Sequence, residues 1–134
     1  MSKLSAFLYP AAGAGEKELV ISKRFLNEDG SPAKFKIRAV TQEENDAITK
    51  RATRRVKVDG MPVEQLDNVD YSRRLVVAAT VEPDFSAREL CDAYGVADPL
   101  LVPGKMLLSG EYARLMKAIS DLSGFESPEE AAKN

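Results

Sequence analysis

Residues 109–125, SGEYARLMKAISDLSGF, carry the clearest helical pattern in the chain. Tyr112, Leu115, Met116, Ile119 and Leu122 recur at helical spacing on one side, and Arg114, Lys117 and Asp121 fall on the other. Ser109 is placed to cap the first turn, Glu111 complements the positive end of the helix dipole, and Gly124 is placed to end the helix in a left-handed conformation. One face must be buried, and the apolar segments 75–81 and 100–108 are its natural docks.

Near the start of the chain the period changes to that of a strand. Leu19, Ile21 and Phe25 alternate with polar or second-face positions, and Phe35, Ile37 and Ala39 alternate with Lys34, Lys36 and Arg38. Asn27-Glu28-Asp29-Gly30 lies between them as a turn, so residues 17–40 are expected to form an antiparallel hairpin. A hairpin this short needs helices beneath it. Lys34, Lys36 and Arg38 then read as a solvated, edge-protecting strand face.

Thr41-Gln42-Glu43-Glu44 is a capping box that opens a helix from Gln42 to about Arg55, with Ala47, Ile48 and Ala52 inward and Val56 a candidate fourth. Val58-Asp59-Gly60-Met61-Pro62 signals a turn, and 57–69 reads as a small hairpin or an irregular loop. Asp70 is placed to cap a helix through about Thr80 that buries Tyr71, Leu75 and Ala78 or Ala79. Ser86-Ala87-Arg88-Glu89 reads as a second capping box, opening a short helix that ends near Gly95. Asp98-Pro99 starts another helical turn, which Pro103 breaks. Ser127-Pro128-Glu129-Glu130 opens a helix with too few residues after it to be stable, so the tail is expected to fray.

These patterns assemble into one α+β domain, an N-terminal antiparallel β-hairpin packed on a C-terminal cluster of short α-helices. Residues 1–15 are an apolar arm and linker, 17–40 the hairpin, 41–125 the helical part and 126–134 the frayed tail.

Composition narrows the function. The 134 residues hold 19 basic and 21 acidic side chains, so no overall field gathers nucleic acid or anionic lipid. No apolar run approaches the roughly 20 residues of a membrane span. Lys3 and the apolar residues after it imitate a secretory signal, but Pro10 interrupts the run and the basic region is one lysine. Cys91 is the only cysteine and fits a small buried apolar group; it makes a reducing compartment the easier setting. The chain has no histidine, which removes Ser-His-Asp and Cys-His nucleophile systems and His-ligated metal sites. Ser31-Pro32-Ala33-Lys34 matches an acyl-enzyme pattern by chance, since it sits in a hairpin turn without partner motifs. No cofactor, metal or enzymatic activity is expected.

Two sets of residues are candidates for binding. Phe7 and Leu8 sit in an apolar segment that reads either as a terminus folded back on its own core or as a hook that grips another chain, and Leu107 and Leu108 in a broken segment; all four are expected to serve partner binding or self-association. Lys50, Arg51, Arg54, Arg55 and Lys57 form the densest positive cluster. With Glu43, Glu44 and Asp46 before it, the cluster reads as a solvated helix face. The alternative is a small nucleic-acid-binding regulator that uses this face on phosphates.

Several stretches together resemble one family, the XkdN-like tail assembly chaperones of contractile-tailed phages and prophages. They are Ser22-Lys23-Arg24-Phe25, Gly30 and Pro32, Phe35-Lys36-Ile37-Arg38, and Thr41 with Glu43-Glu44-Asn45. Later come Asp92 with Tyr94-Gly95-Val96, Met106-Leu107-Leu108 with Gly110-Glu111-Tyr112, and Gly124-Phe125. The stretch from Asp98 to Gly104, with two prolines, departs from the family pattern. The resemblance implies a non-catalytic protein that binds the tape measure protein and assists the tail tube protein to assemble around it. It further implies action in the cytoplasm of the bacterial host and absence from the mature virion. A longer form made by ribosomal frameshifting near codons 132–134 is a further expectation, which the gene sequence tests.

Overall fold

The structure is a computed structural model, and it describes residues 3–10, 12–13 and 15–125. The expected frayed tail at 126–134 lies outside the described residues.

The hairpin forms as an antiparallel pair, β1 (Glu16–Leu19) with β2 (Phe35–Arg38), in the register Glu16 to Arg38 and Leu19 to Phe35. It is shorter than the alternation implies. Beyond Leu19 the chain leaves the ladder, Ile21 drops into the core, and pairing resumes only around the turn, where Leu26 bridges Pro32. The turn is tied by Asn27 N–H donating to Ser31 O and by Asp29 Oδ1 accepting from Ser31 N–H, both near 2.9 Å.

Antiparallel to β2 on its other side lies β5 (Thr80–Glu82), which makes a three-stranded sheet of order β1-β2-β5. The expectation of an edge-protecting face on Lys34, Lys36 and Arg38 is thereby corrected: β2 is the central strand. Lys36 lies 3.7 Å from Glu16, and Arg38 bonds Glu44.

The capping box at Thr41 forms as expected, with Glu44 N–H donating to Thr41 Oγ1 and Thr41 N–H to Glu44 Oε1, each at 3.2 Å. It opens α2 (Gln42–Ala52). The helix stops three residues short of the expected Arg55 because the chain turns extended at Thr53 and enters β3 (Thr53–Val58). β3 pairs antiparallel with β4 (Met61–Leu66) across a two-residue turn in which Asp59 and Gly60 both have positive φ. That is a primed turn, and Asp-Gly is the sequence that favours it. Of the two readings for 57–69 the hairpin is correct, and it begins earlier than expected.

Helix α3 (Asn68–Ala79) is capped by Asp67, whose Oδ1 accepts from Val69 and Asp70 N–H. The expected cap, Asp70, instead faces Arg54 and Arg74. Ser86 does not cap α4 (Arg88–Ala93); Asp84 Oδ1 accepts Ser86 N–H in a turn before it, and Ala87 takes the cap position. The end of α4 is as expected: Gly95 is left-handed, its N–H donating to Asp92 O and that of Val96 to Cys91 O.

After a 3-10 turn over Pro99–Leu101, capped by Asp98, comes α5 (Val102–Met106) with Pro103 in its first turn. The segment is therefore broken as expected, and Pro103 starts the second piece. Helix α6 (Ser109–Ser120) follows and passes into a π-type turn over Asp121–Phe125 with Gly124 left-handed. Its cap position is Leu108 and not Ser109, because the Glu111 carboxylate takes the Leu108 N–H at 2.8 Å and fixes the helix start one residue earlier.

The core lies between the sheet and the helices. Phe35 and Ile37 of β2 meet Leu75, Val76 and Ala79 of α3 and Leu115 and Ile119 of α6, with Phe85, Val102 and Cys91 closing the end. The expected α6 stripe is the buried one: Leu115 and Ile119 are fully covered, and Tyr112, Met116 and Leu122 pack half-buried against the cluster.

Candidate partner-binding surface

The chain has no histidine, and its one cysteine, Cys91, is buried. Among the described residues no group of three or more His, Cys, Asp and Glu side chains is placed to hold a metal ion. No helix among them is long and apolar enough to cross a membrane.

The start of α6 is tied to distant parts of the chain. Arg24 reaches it from the loop after β1, donating from Nε to Glu111 Oε2 at 3.1 Å and from Nη2 to Glu111 Oε1 at 2.5 Å and to Met106 O at 3.0 Å. The guanidinium, with Ser22 and the Leu108 N–H, holds the Glu111 carboxyl down at about 2. Arg24 also lies over the Phe25 ring, 4.9 Å from its centroid. The Arg24–Glu111 pair thereby ties together the β1–β2 loop, the end of α5 and the start of α6. Arg114 adds a second tie, donating from Nη1 to Ile21 O at 2.5 Å.

These ties hold Leu107 and Leu108 in opposite postures. Leu107 is 8% exposed and belongs to the core, whereas Leu108 is 60% exposed. The expectation that the broken segment leaves both leucines open is corrected for Leu107, because α5 turns it inward. A groove of about 460 Å³ runs between α3 and the α5–α6 junction, with Leu107 and Tyr112 in its floor and Val69 and Arg73 on its rim. A second groove, of about 580 Å³, is lined by Leu108 together with Val20, Ile21, Lys23 and Arg114. Leu108 is thus a bare apolar side chain in the wall of the second groove, and its neighbours Leu107 and Ser109 line the first.

Phe7 and Leu8 lie in a single turn of helix, α1 (Ser5–Leu8), that buries none of its residues. Phe7 is 82% exposed, and Leu4, Leu8 and Tyr9 are open too. This hook is not folded back on the core.

The basic cluster is divided by the fold. Lys50 and Arg51 end α2, while Arg54, Arg55 and Lys57 lie on β3, so the expectation of one helix face is corrected. Arg54 donates from Nη1 to Arg51 O at 2.8 Å and from Nη2 to Asp70 Oδ2 at 2.9 Å, where Arg74 also binds. Arg74 and then Arg54 hold the Asp70 carboxyl below its usual range.

Sequence reasoning missed the β3–β4 ribbon as an apolar surface. Directly opposed residues of an antiparallel pair share a face, so Val56 with Val63 and Val58 with Met61 line one side. Met61 is 66% exposed and Val58 52%. The signal was available: β-branched residues flanking Asp59-Gly60 at alternate positions.

Comparison with known proteins agrees with this fold and with the resemblance read from the sequence. Residues 4–133 match the family described as phage XkdN-like tail assembly chaperone protein. The Bacillus subtilis (strain 168) protein YqbN is 39% identical over 127 residues, covering 90% of this chain and 85% of its own length. The phage-like element PBSX protein XkdN of the same strain is 35% identical over 127 residues, covering 90% of this chain and 86% of its own. A crystal structure of the protein YqbN superposes with a TM-score of 0.76 at 32% identity, covering 90% of this chain and 96% of that one. The chain therefore belongs to the XkdN-like family of phage tail assembly chaperones.

Proposed function

We propose that the protein acts, without catalysis, by binding the tape measure protein, and that it keeps this long helical partner soluble while the tail tube assembles around it. It does so in the cytoplasm of the bacterial host and is left out of the finished virion. Family membership supports the chaperone role, and the observation that carries the binding mode is the bare Leu108 side chain in the wall of one groove, next to Leu107 and Ser109, which line another. An amphipathic helix buries its apolar stripe in a surface of that kind, taking anchors at i, i+3 or i+4 and i+7. The Phe7 and Leu8 hook, free of the core, supplies a second apolar grip.

Co-expression with the tape measure protein tests the reading. The unaltered chaperone keeps that protein in the soluble fraction and co-purifies with it. Leu108→Asp together with Phe7→Asp and Leu8→Asp removes the apolar contacts at exposed positions and sends the partner to the pellet. If the triple variant still solubilises and retains it, the apolar-surface reading is wrong.

A further inference from the structure

Four strand edges lie at the ends of the two sheets, those of β1, β5, β3 and β4. Unpaired edges invite another strand, and two of these four are blunted. β5 is three residues long and runs into Pro83. In the ribbon, Asp67 N–H donates to Ala52 O at 2.9 Å, so the even-numbered residues of β3 bond to β4 and the odd ones point outward. Pro62, opposite Lys57, then sits at an outward position of β4 and has no N–H to offer.

The edges of β1 and β3 stay open, and their charges match. Ala39 N–H donates to Gly15 O, which puts Gly15, Lys17 and Leu19 in bonded pairs with β2 and leaves the N–H and C=O groups of Glu16 and Glu18 outward. On β3 the outward residues are Arg55 and Lys57. Each edge thus carries two like charges two residues apart, acidic on β1 and basic on β3. Glu18, Arg55 and Lys57 have no ion-pair partner among the described residues. Glu16 has only the 3.7 Å approach to Lys36.

We propose that β3 of one copy adds antiparallel to the free edge of β1 in a second copy, opposing Glu16 to Lys57 and Glu18 to Arg55. A β1–β1 contact would oppose carboxylates and a β3–β3 contact would oppose cations, so charge selects the unlike pair. The register places Val56 opposite Lys17 and Val58 opposite Gly15, on the face turned to α6. There a groove of about 530 Å³ runs beside β1, with Leu19, Ala118 and Leu122 on its apolar side. Exposed Val58 and half-buried Val56 gain a seat there, and the two sheets become continuous across the copies. Each copy carries one acidic and one basic edge, so the same contact recurs from copy to copy.

Charge reversal on each edge tests this by sedimentation velocity over a concentration series. The unaltered protein associates as concentration rises, and added salt weakens it. Glu16→Lys with Glu18→Lys, and separately Arg55→Glu with Lys57→Glu, each weaken association by roughly tenfold or more. An equimolar mixture of the two variants regains it, because each then meets an opposite edge. All four side chains lie off the core, and circular dichroism checks that both variants fold. As a second measurement, Glu18→Cys and Arg55→Cys in copies of different mass form a mixed disulfide, with buried Cys91 as the sole background thiol. An unaltered protein that stays monomeric at roughly 100 μM, variants that associate like it, or a mixture no better than either alone overturns the proposal.

Discussion

The α6 region and the β3–β4 ribbon are built from equally clear local signals, yet they are held by different forces. Helix α6 has its stripe fully covered at Leu115 and Ile119, and its start is tied to Arg24, which stands 87 positions away in sequence. The ribbon is exposed along the whole of β4 and is held by its ladder, by the primed turn at Asp59-Gly60, and at its base by Arg54 on Asp70. Burial stabilises the first region through long-range contacts, and it opens only when the domain opens. The second depends on local register and can open alone.

The largest expected effect tests whether burial is what separates them. Leu115→Ala removes a fully covered side chain from the centre of the core and costs about 3 kcal/mol by urea titration. Val63→Ala on the ribbon costs at most about 0.5 kcal/mol in the same measurement. Equal losses would mean that the ribbon belongs to the cooperative core and that the comparison is wrong.

The second test uses acid. Glu111, bonded by Arg24, and Glu44, bonded by Arg38, both have carboxyls lowered from the ordinary 4.5 to about 2. Above pH 4.5 folded and unfolded chains are both ionised there, and the stabilisation from these pairs is complete. As pH falls toward 2 the unfolded chain takes up protons first, so stability is lost across that window. Glu111→Gln should lower the urea midpoint at pH 7 and flatten its fall between pH 4.5 and 2. A variant that keeps the full acid slope would show that the pair does not hold the α6 start.

The two regions also differ in how far they could be read from sequence. The stripe of α6, the Thr41 capping box and the left-handed Gly95 and Gly124 are local facts, and local spacing reports them. β5 is not such a fact. Thr80-Val81-Glu82 continues the pattern of α3, and only pairing with β2 makes it a strand, so that the supposed edge became a centre. The misplaced caps share one cause. Asp67 and Asp70 both suit a helix start, and the choice fell to Arg54 and Arg74, which draw Asp70 away. Ser109 likewise lost its place because Glu111, fixed by Arg24, reached the Leu108 N–H. Of the candidate residues, Phe7 and Leu108 stand open as their sequence context implies, while the placement of Leu107 depended on the direction in which α5 turns.

A smaller change asks whether the ribbon opens independently. Gly60 has φ near +81°, and an added Cβ there meets nothing within 4 Å, so Gly60→Ala carries a conformational cost alone, about 1 kcal/mol. Hydrogen exchange should show faster amides at Val58 and Met61, with the amide of Ile119 unchanged. Acceleration at both places would tie the ribbon to the core.

The smallest effect is a gain. Thr80 begins β5 and is 5% exposed, and among the described residues its Oγ1 has no hydrogen-bond partner. Its backbone is satisfied, with the N–H donating to Val76 O, so the orphan is the hydroxyl alone. A buried hydroxyl without a partner forfeits its hydration and gains nothing in return. Thr80→Val keeps the β-branched shape that suits a strand and places a methyl against the core, so it should stabilise by about 1 kcal/mol, or roughly 3 °C in Tm. Thr80→Ser separates the two halves of the side chain, because it keeps the hydroxyl and loses the methyl; it should destabilise by about 1 kcal/mol. The core flaw and the ribbon are distinct places, so neither change should alter exchange at Val58 or Met61. If Thr80→Val lowers Tm as Thr80→Ser does, the hydroxyl is bonded and the core has no flaw to repair there.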